Sequence, residues 1–244
     1  MSGHSHWHSI KHAKAITDAK RSRLFSKLSK EIEVTAREGG DPEKNPKLRA
    51  VIEKAKSAQM PSENIERAIK RGTGELKGEK LEQVLYEAYG PGGTAILIEG
   101  ITDNKNRTLN EIKQILNQHN GKLVDEGAVK WMFERKGEII INLEKQDPPL
   151  KKEDIELLAI EAGAEDFSWP KENIFEIYTQ PEELEKVKEF LNKKGIKTES
   201  ASLGWKAKEL IKIDQKHKES AERLFESLDD NDAVQEIYSN IDNL

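Results

Sequence analysis

The chain has 244 residues, of which 35% are hydrophobic and 35% charged, with a formal net charge of −5. That length exceeds one average domain, and the thin apolar fraction suits several small cores better than one thick core. With no cysteine, a disulfide framework and a thiolate metal site are excluded; no run of about 18 apolar residues is present for a membrane helix, and no signal-like apolar run near the N-terminus, so a cytoplasmic protein is expected.

The overall charge hides a split. Residues 1–77 hold 17 Lys/Arg against 10 Asp/Glu, a net of +7, and residues 78–244 hold 23 against 35, a net of −12. Such asymmetry points to a basic binding module on an acidic body.

In chain order, Thr17 or Asp18 caps a predicted helix that runs to about Arg37 and ends at Gly39-Gly40. On a helical wheel Leu24, Phe25, Leu28 and Ile32 share an arc of about 100°, and Lys20, Arg23, Lys27 and Lys30 share another of about 80°, centred about 130° away. Arg21 falls near the apolar side. A second helix is expected from Pro46 to about Ala58, with Leu48, Val51, Ile52 and Ala55 inward. Pro61 interrupts it, and Ser62 opens a third that Gly72 stops. Thr73–Lys80 reads as a linker.

Beyond the linker the period changes. Leu85–Tyr89 and Thr94–Ile101 are strand-like and joined by Gly90-Pro91-Gly92-Gly93, a hairpin signal. Residues 107–119 form an amphipathic helix capped by Asn106 or Asp103, and Val129–Glu134 is a strand. Next come a strand (Glu138–Leu143), a helix (Lys152–Glu161), strands (Ala164–Trp169, Ile174–Tyr178), a helix (Pro181–Lys194) and a strand (Ile196–Leu203), the β-α-β-β-α-β order of a ferredoxin-like unit. A strand (Lys206–Ile213), a helix (Lys216–Leu228) and a strand (Ala233–Tyr238) remain to complete the sheet begun at Leu85. The expectation is therefore an α+β chain of three domains: a basic helical domain (1–77), a split α/β domain (78–135 plus 205–244) and an inserted ferredoxin-like domain (136–204).

The chemistry-bearing residues concentrate at the N-terminus. His6, Trp7, Lys11, His12 and Lys14 precede the cationic helix that carries Lys20, Arg21, Arg23, Lys27 and Lys30. Cations neutralise phosphates and release counterions, and a flat indole stacks on an unpaired base. His4, His6, His8 and His12 have metal-binding side chains, but without carboxylates, thiolates or closed four-ligand spacing they predict no functional metal site. The second and third helices resemble a helix-turn-helix, except that Ser62-Glu63-Asn64 and Glu66 sit where base-reading residues belong. Arg67, Lys70 and Arg71 cluster at the other end, which favours backbone or structured-RNA contact. Gly90–Gly93 lacks the Lys-Ser/Thr of a phosphate loop. The polar run Thr102–Thr108 exceeds what a helix cap needs, so Asn104, Asn106 and Arg107 form a second expected contact. No nucleophile elbow, zincin helix or dinucleotide fingerprint occurs, so neither catalysis nor a cofactor is expected.

Several segments together, among them Gly3-His4-Ser5-His6-Trp7, Asp18-Ala19-Lys20-Arg21, Asn64–Gly72, Tyr89–Gly93, Thr102–Thr108 and Phe133–Gly137, resemble the YebC/PmpR family, which includes the mitochondrial translational activator of cytochrome oxidase. The resemblance runs in order through residues 3–137. It implies a helical N-terminal domain and two α/β domains around a cleft. It also implies a cytoplasmic regulator, either a transcriptional regulator that binds promoter DNA or a translation factor that acts on ribosomes at proline-rich stretches. Family members often carry Ser-Lys-Trp where this chain has Ser5-His6-Trp7, which makes one cation near the tip pH-dependent. The partner expected from these readings is DNA or ribosomal RNA, with a protein partner for the acidic α/β domains.

Overall fold

The computed structural model describes residues 18–242. These residues form two compact units. One holds the described residues up to Val129 with Asp214–Ile237; the other holds Lys130–Ile213 and the described residues from Tyr238 on.

The first unit opens with three helices: α1 (Asp18–Ala36), α2 (Pro46–Ser57) and α3 (Ser62–Gly72). Their shared core is the expected apolar set, with Leu28, Ile32, Leu48, Val51, Ile52, Ala55, Ile65 and Ala68 buried. Asn45 caps α2 by accepting from the Leu48 amide at 3.1 Å, and Pro46 follows at the first helical position, where its missing N–H costs nothing. The start of α3 differs from expectation. Its cap residue is Pro61, and Ser62 makes no capping bond. Gly72 does more than stop the helix: a Cβ there would lie 2.7 Å from the Ala36 Cβ, so the missing side chain lets α3 press against α1.

The same unit contains β1 (Glu82–Tyr89), β2 (Ala95–Thr102), α4 (Lys105–Gln118), β3 (Lys122–Val124) and α7 (Gln215–Asp229), with β8 (Val234–Ser239) completing a sheet of order β3-β1-β2-β8. The hairpin between β1 and β2 closes through a 2.8 Å bond from the Gly90 amide to the Thr94 carbonyl, with Gly92 at φ 71° in the left-handed region. β3 was not foreseen; three residues are too short for a period to show.

The second unit is a four-stranded antiparallel sheet of order β5-β6-β4-β7, built from β4 (Phe133–Asn142), β5 (Asp166–Lys171), β6 (Ile174–Thr179) and β7 (Ser200–Ala207). Helices α5 (Lys152–Ala162) and α6 (Leu184–Lys193) complete the ferredoxin-like βαββαβ order. The core lies between the helices and one sheet face, with Ile139, Ile141, Ile155, Phe175, Ile177, Val187 and Leu191 buried.

Four strand assignments change. Val129–Glu134 and Glu138–Leu143, expected as separate strands, are one continuous β4 with Gly137 inside it. Gly137 is no break: a Cβ there would meet the Oγ1 of its cross-strand partner Thr179 at 2.3 Å and the Leu184 Cβ at 2.9 Å, so the glycine makes room for Thr179 and for the start of α6. The last ferredoxin-like strand is Ser200–Ala207 rather than Ile196–Leu203, and Lys206–Ile213 forms no separate strand. β4 begins at Phe133, opposite Ala207, so the chain beyond runs out of partner; only an isolated bridge joins Ile211 to Ile241.

Candidate nucleic-acid interface

The expected tail residues His6, Trp7, Lys11, His12 and Lys14 lie outside the described residues. The cationic face of α1 is described, and it is not the open row that the helical wheel suggests. Lys27 is 5% exposed, and its ammonium donates to the Asp229 carbonyl at 2.6 Å and to Asp229 Oδ1 at 2.9 Å. Arg23 pairs with Asp230, and Lys30 donates to the Asp232 carbonyl at 3.0 Å. The end of α7 and the turn after it thus cover three of the four cations. The wheel separated the faces correctly but carried no information on what each face meets. Lys20 and Arg21, at the start of α1, are exposed.

Lys54 on α2 shows the same design. Burial works against its charge, but the carboxylates of Glu31 (3.5 Å) and Glu236 (3.0 Å) outweigh burial and hold its pKa above the ordinary lysine range. Glu33 is the converse: it is 5% exposed, and burial raises its pKa despite the opposing fields of Arg71 and Arg37.

The α3 cations are placed differently. Arg67, Lys70 and Arg71 are all exposed. Arg67 and Arg71 line a polar pocket of about 210 Å³ with Phe25, Ser26, Ser29 and Asn64, between α1 and α3. Two acids bear on these arginines: buried Glu33, which feels the charge of Arg71, and Glu63, whose 82% exposed side chain pairs with Arg67 at 2.7 Å, one helical turn away. Exposed pairs of this kind contribute about 0–1 kcal/mol, so a phosphate can replace the carboxylate at little cost. The two guanidinium groups, two hydroxyls and one amide make the pocket suited to an oxyanion.

The polar run before α4 is occupied by its own neighbours. Asn104 caps the helix by accepting from the Arg107 amide at 3.1 Å. Arg107 pairs with Asp103 at 2.5 Å and with Glu111 at 3.7 Å, Lys105 with Glu82 at 2.6 Å, and the buried Thr102 and Thr108 hydroxyls bond each other at 2.8 Å. The expectation that the run exceeds a cap's needs is thereby corrected: local pairing accounts for every member but Asn106, which is exposed.

Among the described residues no helix is long and apolar enough to cross a membrane, and no group of three or more His, Cys, Asp or Glu is arranged to hold a metal ion.

Two family models match the chain: that of the TACO1/YebC second and third domain covers residues 81–241, and that of the TACO1/YebC protein N-terminal domain covers residues 5–75. The chain belongs to the TACO1/YebC family. Its relatives include a probable transcriptional regulatory protein of Caldanaerobacter subterraneus subsp. tengcongensis, 50% identical over 99% of this chain and 98% of the relative. Another is a probable transcriptional regulatory protein of Halothermothrix orenii, 49% identical over 99% of this chain and 95% of the relative. The crystal structure of a conserved hypothetical protein, Aq1575 of Aquifex aeolicus, superposes with a TM-score of 0.89 at 46% identity, covering 98% of this chain and 97% of that one.

In this TACO1/YebC chain, Ser26 and Ser29 follow no motif in the sequence, and Asn64 stands out there only at the start of α3 and of a family-like segment; helix packing brings the three to one pocket.

Proposed function

We propose that the chain is a non-enzymatic, cytoplasmic nucleic-acid-binding regulator of gene expression, and first a DNA-binding transcriptional regulator. The names of its relatives support regulation. The observation that carries nucleic-acid binding is the pocket between α1 and α3, where Arg67, Arg71, Asn64, Ser26 and Ser29 converge on a volume open to a backbone phosphate. In this reading Lys20, Arg21 and Lys70 extend the contact along the backbone. Arg23, Lys27 and Lys30 serve the fold instead, because a cation already bound to an aspartate or a carbonyl has little left to give a phosphate.

A second reading, a ribosome-associated translation factor, is favoured by one observation. The leading turn of α3 carries the exposed carboxylates Glu63 and Glu66, which oppose entry into a major groove lined by phosphates. Asn104, Asn106 and Arg107 are retained as a secondary contact in either reading, made through the outer surface of the capped turn. A protein partner on the acidic units would sit best at α5, where Leu157 and Ile160 are 62% and 61% exposed beside Glu153, Glu156 and Glu161. That setting suits a basic segment with apolar side chains.

The test pairs two measurements on the wild type and on R67A/R71A. A transcriptional regulator discriminates its DNA site from random duplex by more than about 10³. A ribosome factor shows no such ratio but co-sediments with ribosomes in a salt-sensitive way. In the case that applies, the double variant weakens binding and lowers the slope of log K against log salt by about 1 for each phosphate no longer neutralised. Unchanged affinity and slope would refute the pocket.

A further inference from the structure

We propose that a cavity between the β1–β2 turn and the start of α7 binds a small phosphate ester of mononucleotide size. The proposal goes beyond the nucleic-acid reading above and shares no residue with it. The cavity has a volume of about 410 Å³ and is lined by the turn Gly90–Gly93, by Asn120 after α4, and by Lys216, His217 and Ser220 of α7. All of these belong to the first compact unit.

In the sequence, Gly90–Gly93 lacks the Lys and Ser/Thr that complete a phosphate loop, and a strand follows it instead of a helix. Folding brings both residue types to the turn from far along the chain. Lys216 and Ser220 stand one helical turn apart on α7 and share the cavity wall with the glycines. Among the described residues the Lys216 ammonium pairs with no carboxylate, and the Asn120 and Ser220 side chains hydrogen-bond to no protein atom. His217 is held by Asp214, whose Oδ1 accepts from the His217 amide at 2.8 Å and lies 2.9 Å from the ring Nδ1. That pairing engages the acid next to Lys216 and leaves the ring Nε2 for a ligand. Glu219, beside Ser220, accepts from the Gln215 side chain at 3.4 Å.

This lining selects its ligand. No carboxylate lines the cavity, although α7 carries Glu219, Glu222, Glu226 and Asp229. The wall instead offers an ammonium, an amide, a hydroxyl and an imidazole, all able to donate to one oxyanion. A metal cation finds no charged ligand there, and a neutral molecule would leave the ammonium unmatched. The volume falls in the range of small-molecule sites, about 300–1,000 Å³. Inorganic phosphate alone would leave most of it empty. The rest of the wall is Pro91 and glycine backbone, uncharged and without bulky side chains, which suits the organic body of a phosphate ester.

The test titrates the full chain with AMP, adenosine and inorganic phosphate by isothermal titration calorimetry. AMP is expected to bind, inorganic phosphate to bind more weakly and compete with it, and adenosine to give no binding heat. Lys216→Ala is expected to weaken AMP about 10- to 100-fold and Ser220→Ala about 2- to 10-fold. Lys113→Ala, an equal loss of charge at an exposed position on α4, should leave affinity within about 2-fold at physiological salt. The pocket between α1 and α3 also suits an oxyanion, so the titration is repeated on R67A/R71A, which is expected to bind AMP as the wild type does. A chain that binds neither AMP nor phosphate overturns the proposal. So does AMP binding that Lys216→Ala leaves unchanged, that Lys113→Ala weakens equally, or that R67A/R71A alone removes. If Lys216→Ala weakens a labelled single strand while AMP itself does not bind, Lys216 extends a nucleic-acid contact and the small-molecule site is likewise refuted.

Discussion

Replacing Lys27 decides between a binding cation and a structural one. Its side chain is 6% exposed and its ammonium has two acceptors on Asp229, at 2.6 and 2.9 Å, while the Asp229 side chain is 24% exposed. Removing one partner from a fully buried pair costs about 3–5 kcal/mol, and from an exposed pair about 0–1 kcal/mol. With Lys27 buried and Asp229 in partial contact with water, Lys27→Ala is expected to cost about 2–4 kcal/mol. At about 2–4 °C per kcal/mol for a protein of this size, the unfolding midpoint falls by about 4–16 °C. Lys27→Met keeps the packed stem but leaves the aspartate unpaired, so it falls less than Lys27→Ala, and adding Asp229→Asn to Lys27→Met recovers most of the loss. Thermal unfolding followed by circular dichroism measures all of these, and nucleic-acid affinity is measured on the same folded samples below the midpoint. If Lys27→Ala unfolds within about 1 °C of the wild type yet loses affinity, the reasoning is wrong and Lys27 faces a phosphate.

Three other substitutions test the remaining arguments. Burial holds the pKa of Glu33 above 4.5, so the folded state retains its proton more tightly than the unfolded chain and loses stability as pH rises through that interval; Glu33→Gln should flatten the stability–pH curve there and leave the midpoint at pH 7 equal or higher, as pH-dependent denaturation would report. Gly137→Ala forces a methyl group against Leu184 and should cost about 1–3 kcal/mol by chemical denaturation. Asn104→Ala removes the cap of α4 and should cost about 1 kcal/mol, and its effect on nucleic-acid affinity shows whether the same side chain also contacts a ligand.

Much of the fold was legible because each long element carries its own period. The apolar residues assigned inward on α1 and α2, and the order of strands and helices through the ferredoxin-like unit, follow from spacing alone. The misplacements arose where a local signal had a distant cause. Gly137 looks like a break unless the path to Leu184 is known, and Lys206–Ile213 looks like a strand unless β4 is known to begin at Phe133. The site was less legible than the fold for the same reason. A helical wheel shows that Lys27 and Leu28 face apart but not that Asp229 awaits one of them. Arg67 and Arg71 were visible as charge; Ser26, Ser29 and Asn64 become companions of those arginines only when α1 and α3 pack.

The bonds that hold α1 to the end of α7 join residues about 200 positions apart in the chain: 202 between Lys27 and Asp229, and 207 between Arg23 and Asp230. The first described helix therefore waits for nearly the whole polypeptide before its charged side is covered. Until then a positively charged helix is exposed beside its own messenger and ribosomal RNA, and synthesis of the last turn of α7 and the turn after it ends that exposure. Truncation anywhere before Asp229 would remove the acceptors that Arg23, Lys27 and Lys30 meet on Asp229, Asp230 and Asp232, giving a fragment that binds polyanions through a helix face the finished protein keeps covered.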